Sequence, residues 1–178
     1  MRWSEPWTVP KIDFRGLSIV KPKNRVCSDS AEEQLKSFIE KFEPKYQKTI
    51  RAARKSLRKR FPTANELVYD NYNFFVVGFG PNESPTDCFV SIAAAANGVG
   101  LCFIRGASLP DPARVLSGSG KQTRFVRLPS AEVLEQPEID ALLTIAAERT
   151  RVPLRRIGRG NPIIRSVSAK QRPRRKPS

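Results

Sequence analysis

Apolar residues recur at helical spacing in two adjacent stretches of the chain. The first stretch, residues 31–42, follows Ser30-Ala31-Glu32-Glu33, which has the form of a capping box at a helix start. The second, residues 44–60, begins with a proline and ends before Phe61-Pro62. Proline fits the first turn of a helix and disfavours helix in the residue before it. The pattern therefore predicts two consecutive amphipathic helices.

The spacing of apolar residues changes to a period of two from Glu66 onward, which is typical of strands. Four strands are predicted: residues 67–79 with a kink at residues 71–73, residues 88–95, residues 99–104 and residues 124–128. Asn97-Gly98 predicts a type I′ hairpin between the second and third strands, because both residues tolerate positive φ. Pro137 then divides a final helical region into a short turn and a helix.

This order of elements predicts an α+β fold, with an antiparallel four-stranded sheet and helices packed on one of its faces. We expect this domain to span residues 27–150. Residues 1–26, rich in proline and lysine, are expected to form an extended N-terminal arm that either lies over the domain in places or is disordered. Residues 151–178 are basic and lack a usable period, so they are interpreted as a flexible C-terminal tail.

Positive charge is concentrated in two segments. The chain has 32 Lys and Arg residues against 17 Asp and Glu, a net charge of +15. Residues 44–62 hold eight of the cations and residues 149–178 hold eleven, and neither segment contains an acid. Such segments are either contacts for nucleic acid or another polyanion, or solvated faces. The candidate nucleic-acid contacts are Arg51, Arg54, Lys55, Arg58, Arg155, Arg156 and Arg159.

The sequence contains no histidine, which excludes the commonest general base and every Ser/His/Asp or Cys/His nucleophile arrangement. Cys27, Cys88 and Cys102 are too far apart in sequence to form a zinc motif. We therefore expect a non-catalytic protein without metal or cofactor. The alternative is an enzyme of unknown reaction that uses Tyr69, Asp70 or Lys121.

Two observations bear on compartment. No apolar run approaches the ~18 residues that span a bilayer. The N-terminus has no apolar core of a secretory signal, and the three cysteines form no disulfide framework. The sequence therefore predicts a cytoplasmic protein that does not contact membranes.

The long connection between the third and fourth strands is the strongest candidate for a binding site, because ordered loops of this length are often functional. Gly118-Ser119-Gly120-Lys121 lacks the first glycine and the Ser or Thr of a nucleotide-binding P-loop. Its exposed amides could still form an anion nest with nearby cations, or the segment could be a tight turn with lysine in solvent. The candidate anion-binding residues are Arg105, Gly118, Ser119, Gly120, Lys121 and Arg124.

A second wall of this site is predicted from Tyr69, Asn71 and Asp111. Residues 69–73 interrupt an apolar strand with polar and aromatic side chains, a break typical either of a site or of a bulge. For Asp111, which precedes Pro112, a turn or helix start is the favoured interpretation.

The segment from Phe103 to Leu128 resembles the YdhG-like domain family, a group of small bacterial domains of largely unknown function. The matching residues are Phe103, Arg105-Gly106, Leu109, Asp111-Pro112, Leu116, Gly118-Ser119-Gly120-Lys121, Arg124, Val126 and Leu128. A weaker resemblance extends over about residues 30–150. The family's Trp-Gly-x-Pro-like segment is replaced here by Tyr69-Asp70-Asn71-Tyr72-Asn73. Some relatives are described as frataxin-like iron chaperones, so the resemblance implies that activity as an alternative to anion binding.

Overall fold

The computed structural model describes residues 28–175. The predicted N-terminal arm, residues 1–26, lies outside the described residues. Within the described range there are three α-helices: α1 (Ser28–Glu40), α2 (Pro44–Arg60) and α3 (Pro137–Glu148). The strands are β1 (Asn65–Asp70), β2 (Phe75–Gly80), β3 (Val90–Ala95), β4 (Gly98–Phe103), β5 (Arg124–Arg127) and β6 (Pro162–Val167). The helix α1 begins before Ser30, so the expected capping box lies inside the helix.

The six strands form one sheet in the order β5-β4-β3-β2-β1-β6. Strands β1 to β5 pair antiparallel with their neighbours, whereas β6 runs parallel to β1. The α+β class is thus confirmed, and the prediction of an antiparallel four-stranded sheet is wrong on two counts: the first predicted strand is two strands, and the tail contributes a sixth.

The predicted kink at residues 71–73 is the turn of a hairpin. The backbone N–H of Asn71 donates to the carbonyl of Phe74 over 2.9 Å, and Asp70 pairs with Phe75 across the two strands. Asn71, Tyr72 and Asn73 are half-buried or exposed, whereas both flanking strands are buried. The polar residues reverse the chain here because the turn places them toward solvent.

The second hairpin, β3–β4, is confirmed, but its turn type is not. The pairing of Ala95 with Gly98 leaves Ala96 and Asn97 as the two loop residues. Among residues 28–175 only Arg114 is a non-glycine with positive φ, so Asn97 does not adopt the left-handed conformation of a type I′ turn. The loop lies one residue earlier than predicted, and Gly98, with φ of 152°, takes the special conformation instead.

The helices pack on one face of the sheet, as predicted. Alternate residues of the strands, among them Phe75, Phe79 and Phe103, point toward them and are fully buried. Phe42, from the turn between α1 and α2, and Ile50 of α2 enter the same core with no exposed surface. Burying one such side chain contributes about 1.5–3 kcal/mol. The opposite face of the sheet carries a smaller apolar cluster that includes Tyr69 and Cys102.

The segment interpreted as a flexible tail supplies β6 and is tied to the body of the domain. The carboxylate of Asp70, which has no exposed surface, accepts from Lys41 Nζ at 2.6 Å and from Arg174 Nη2 at 3.0 Å. Gln171 Nε2 donates to the Asp70 carbonyl at 3.0 Å. We call Lys41, Asp70, Gln171 and Arg174 the Asp70 cluster. The tail interpretation is wrong because β6 pairs with a strand about a hundred residues earlier, a contact with no local signal.

Candidate polyanion-binding groove

The long loop after β4 is held by its own side chains. Both carboxylate oxygens of Asp111 accept backbone N–H groups, from Val115 at 3.0 Å and from Leu116 at 2.8 Å. Arg124 donates to the carbonyls of Gly120 and Thr123. Asp111 therefore has the turn-forming role expected of it, and Arg124 braces the loop from within. These bonds use donors that an anion would need.

Arg105 precedes a short turn that packs against Arg124, since a Cβ on Gly106 would lie 2.6 Å from the Arg124 Cβ, but the Arg105 side chain contributes to a different cavity. It lines a cavity of about 240 Å³ together with Arg149 and Arg151. Arg149 Nη1 donates to the Ser108 carbonyl at 2.7 Å and so ties the end of α3 to the short turn after Arg105. Lys121 is exposed and is not among the residues that line this cavity. The structure brings Gly120 and Arg124 together but places Arg105 with a different set of cations.

The predicted second wall is dispersed over the sheet. Tyr69 lies in β1 on the face opposite the helices, where burial raises the pKa of its hydroxyl to about 12. Asn71 lies in the β1–β2 turn. Because β1 is three strands away from β4, about 14 Å at the usual spacing, neither residue adjoins the loop that contains Asp111.

The largest concentration of cations lines a groove between α2, the N-terminal part of α1 and the segment before β6. The groove is a cavity of about 620 Å³. Its lining residues are Glu32, Arg51, Arg54, Lys55, Arg58, Lys59, Pro62, Gly158 and Arg159. We call this the basic groove. It unites four of the predicted contacts on α2 with Arg159 of the predicted tail, which the sequence separates by about a hundred residues.

Helical spacing and one glycine build the basic groove. Arg51, Lys55 and Lys59 are four residues apart, so they follow one stripe along α2. The backbone N–H of Gly160 donates to the Pro62 carbonyl at 2.8 Å. A Cβ on Gly160 would lie 1.7 Å from the Ala64 carbonyl oxygen, so only glycine fits there. This close approach holds the preceding residues against the end of α2.

Two of the groove's arginines are partnered by carboxylates. Glu66, 1% exposed, accepts from Arg54 Nε at 2.5 Å and contacts Arg58 Nη1 at 2.7 Å. Glu32 lies on the other side of Arg54, whose hydrogen bonds hold the pKa of this carboxyl below its usual range. Burial alone would lower the pKa of Arg54, but its bonds to Glu32 and Glu66 raise it. Arg54 and Arg58 thus neutralise acids and position α2 on β1.

The remaining cations of the basic groove face solvent. Arg51, Lys55, Lys59 and Arg159 are exposed. Lys55 and Lys59 make no ion pair with any residue from 28 to 175, and Arg51 stands 3.8 Å from Glu40. A concave surface with an excess of one charge concentrates the electrostatic potential and attracts ligands of the opposite sign.

Sequence reasoning missed Lys59 and Glu32, which line the groove, and Glu66, which is buried behind it. Lys59 belongs to the same charge run as Arg58, and the candidate contacts did not include it. Glu32 and Glu66 were not expected to matter, although an acid at a buried position of a strand is a signal for a cationic partner. Arg155 and Arg156, which were predicted as contacts, lie on the adjoining loop and do not line the groove.

Comparisons with protein-family models, curated proteins and solved structures give no match for this chain. Among the described residues, no group of three or more Cys, Asp and Glu side chains is placed to hold a metal ion. No helix in that part of the chain is long and apolar enough to cross a membrane.

Proposed function

We propose that the protein is a non-catalytic binding module for a polyanion, with nucleic acid as the ligand and the basic groove as its site. The proposal rests on the convergence of Arg51, Lys55 and Lys59 with Arg159 around one concavity. Two segments that are basic in sequence thereby act as one surface. Cations arranged in this way bind the phosphate backbone by releasing its counterions, and they need no base-specific contacts.

The pairing of only some of the groove's cations with acids supports this function. Arg54 and Arg58 satisfy the two acids, so the acids do not cancel the outward-facing cations. An anion entering the groove therefore meets the exposed ammonium groups of Lys55 and Lys59, which make no ion pair with residues 28–175. Arg51, also exposed, is held loosely by Gln47 and Glu40. Such contacts confer affinity and orientation rather than sequence preference.

The test is fluorescence anisotropy of a labelled DNA duplex titrated with the full chain at several salt concentrations. We expect the double variant Lys55→Gln/Lys59→Gln to bind more weakly. The slope of log K against log salt concentration should fall in magnitude by about 2, which is about 1 for each phosphate that the variant no longer neutralises.

The matched control is Lys36→Gln/Lys48→Gln, which removes the same charge from exposed positions outside the groove. This control should leave the salt slope unchanged. Equal losses in the two double variants would show that net charge alone drives binding, and the groove would then have no special role. Absence of salt-dependent binding by the unmodified chain would contradict the proposed function as a whole.

The iron-chaperone and enzyme alternatives, and membership of the YdhG-like family, stay predictions. Ferrous iron titrated into the protein in a calorimeter distinguishes the chaperone from the polyanion binder, because only the former gives stoichiometric heat.

A further inference from the structure

The loop at residues 155–159 presents an apolar tip surrounded by arginines beside the basic groove. Ile157 is 88% exposed, more than any other large apolar side chain among the described residues. Arg155, Arg156 and Arg159 flank it and are also exposed. Single exposed apolar side chains are common on protein surfaces, but this one lies among three arginines at the edge of the basic groove, a combination that suits a ligand with both phosphates and apolar surface.

Both ends of this loop are fixed. Before it, Leu154 packs against the main core. After it, Gly160 is locked against the Ala64 carbonyl and hydrogen-bonded to Pro62. Across it, Arg155 donates to the Arg159 carbonyl at 3.5 Å. Its far side, Gly158 and Arg159, forms part of the groove wall. The tip therefore has a defined place relative to any ligand in the groove.

We propose that loop 155–159 is a wedge that enters the minor groove of duplex DNA, with Ile157 inserted between two base pairs. This inference rests on the proposed function, since the basic groove holds the backbone while the loop acts on the bases. Arg155 and Arg156 flank the wedge and occupy the narrow minor groove, where the negative potential is strongest. Inserted aliphatic side chains unstack a base step and kink the duplex.

Duplex DNA suits these residues better than other nucleic acids. Single strands are held mainly by stacking of bases on aromatic side chains, and no aromatic residue among residues 28–175 lines the groove. Double-stranded RNA is recognised across a wide, shallow minor groove through its hydroxyls and phosphates, for which a narrow apolar wedge has no use.

A membrane surface suits them less. Anchoring to a bilayer needs an apolar face larger than one isoleucine, which contributes only about 1.5–3 kcal/mol on burial. Arg159, two residues after Ile157, also lines a concavity, whereas a bilayer offers a flat surface. A bent duplex fits a concavity and brings more backbone to the cations.

The wedge predicts a preference for deformable DNA. Pyrimidine–purine steps such as TA unstack at the lowest cost, so they should be kinked most readily. The experiment uses the full chain and a short duplex with 2-aminopurine beside a central TA step, together with a second duplex labelled at both ends for energy transfer. Unmodified protein should raise the 2-aminopurine fluorescence and bring the ends closer.

The decisive variant is Ile157→Ala, with Val152→Ala as a control at another exposed apolar position. We expect Ile157→Ala to lose the fluorescence rise and the bend but to keep the salt slope of the unmodified chain. Val152→Ala should keep all three properties. Because Ile157 is exposed, its truncation leaves the fold intact, which circular dichroism checks.

Three results would overturn the wedge. The first is steep salt-dependent duplex binding with no unstacking or bending by the unmodified chain, which removes the wedge and leaves the proposed function standing. The second is unstacking that persists in Ile157→Ala. The third is sedimentation with phosphatidylserine vesicles that depends on Ile157 while the duplex stays unkinked, which would assign the loop to a lipid surface. Failure of the unmodified chain to bind either duplex would remove both proposals.

Discussion

The Asp70 cluster and the basic groove contain the same types of side chain, but the cations are paired in the first and partly unpaired and exposed in the second. In the Asp70 cluster, Arg174 is 4% exposed and faces a carboxylate with no exposed surface. In the basic groove, Lys55 and Lys59 are exposed and make no ion pair with any residue from 28 to 175. Both regions combine cations of the helical layer, Lys41 just after α1 or the cations of α2, with cations of the segment after α3. A buried carboxylate of β1 binds cations in both regions, and the difference is that the basic groove also holds cations that no buried carboxylate reaches.

Strand β1 decides which cations are tied to the fold. Glu66 and Asp70 both lie on it, and both point toward the helices. The arginines nearest to them, Arg54 and Arg58 for Glu66 and Arg174 for Asp70, become part of the fold. Lys55 and Lys59, which follow Arg54 and Arg58 on α2, face away from the buried carboxylate and remain available to a ligand. The count of positive residues in a charge run therefore overstates its capacity to bind anions, because the cations opposite buried acids must first be subtracted.

The largest effect is expected from a substitution in the Asp70 cluster. Asp70→Asn removes the charge that compensates Arg174, and an uncompensated buried cation costs about 3–5 kcal/mol. We expect the free energy of unfolding in urea to fall by this amount. Affinity for duplex DNA, measured where the variant is still folded, should keep the salt slope of the unmodified chain. A loss below about 1 kcal/mol, the size of an ordinary point substitution, would mean that Arg174 finds water or another acceptor and does not depend on the Asp70 charge.

An intermediate effect on stability is expected at Glu32. Its side chain is half exposed, like the lysines of the groove, but it is paired with Arg54, like the cations of the Asp70 cluster. Its pKa is lowered from the ordinary value of 4.5, chiefly by the hydrogen bond from Arg54. The carboxylate therefore stabilises the fold above pH 4.5, and this contribution is lost as the pH falls through the lowered pKa.

Urea unfolding of Glu32→Gln across acidic pH tests this assignment. The variant should be less stable than the unmodified chain at pH 7, and the gap should narrow as the pH falls below 4.5. At neutral pH the same variant should bind duplex DNA more tightly, since one acid leaves the groove. A gap that is independent of pH would show that the stabilisation is not electrostatic.

The smallest effect on stability is expected from the exposed lysines of the basic groove. Lys55→Gln/Lys59→Gln should change the free energy of unfolding by no more than about 0.5 kcal/mol, because exposed substitutions without fixed partners rarely do more. Urea unfolding at neutral pH provides the measurement. A loss comparable to that of Asp70→Asn would mean that these lysines serve the fold, and the contrast between the two regions would disappear.

Local patterns were sufficient for much of the fold. The amphipathic stripe of α2, the helix after Pro137 and the β3–β4 hairpin are encoded by neighbouring residues and were predicted correctly. The β1–β2 turn has the sequence pattern of a kink, because Asn71-Tyr72-Asn73 contains neither glycine nor proline and joins two apolar runs. Strand β6 was missed because its residues show no alternation and because its partner is remote in sequence.

The sequence predicted most of the cations of the basic groove, but it did not predict that they line one concave surface. Charge runs identified Arg51, Lys55 and Arg159 without indicating that they meet. Their meeting depends on Gly160 against Ala64, a tertiary contact that no local pattern encodes. For the loop after β4, the nearness of Arg105 to Lys121 in sequence suggested a joint site, whereas the turn after Arg105 directs it toward α3.

The parallel pairing of β6 with β1 has a consequence for how the molecule is made. Asn161, just before β6, bonds to Asn65 at the start of β1 across 96 positions of the chain. At 5–20 residues per second, a ribosome needs on the order of 5–20 s to deliver the second partner after the first. During that interval the outer edge of β1 exposes unsatisfied amides and carbonyls, which is where a half-made chain is most open to pairing with its neighbours on a polysome.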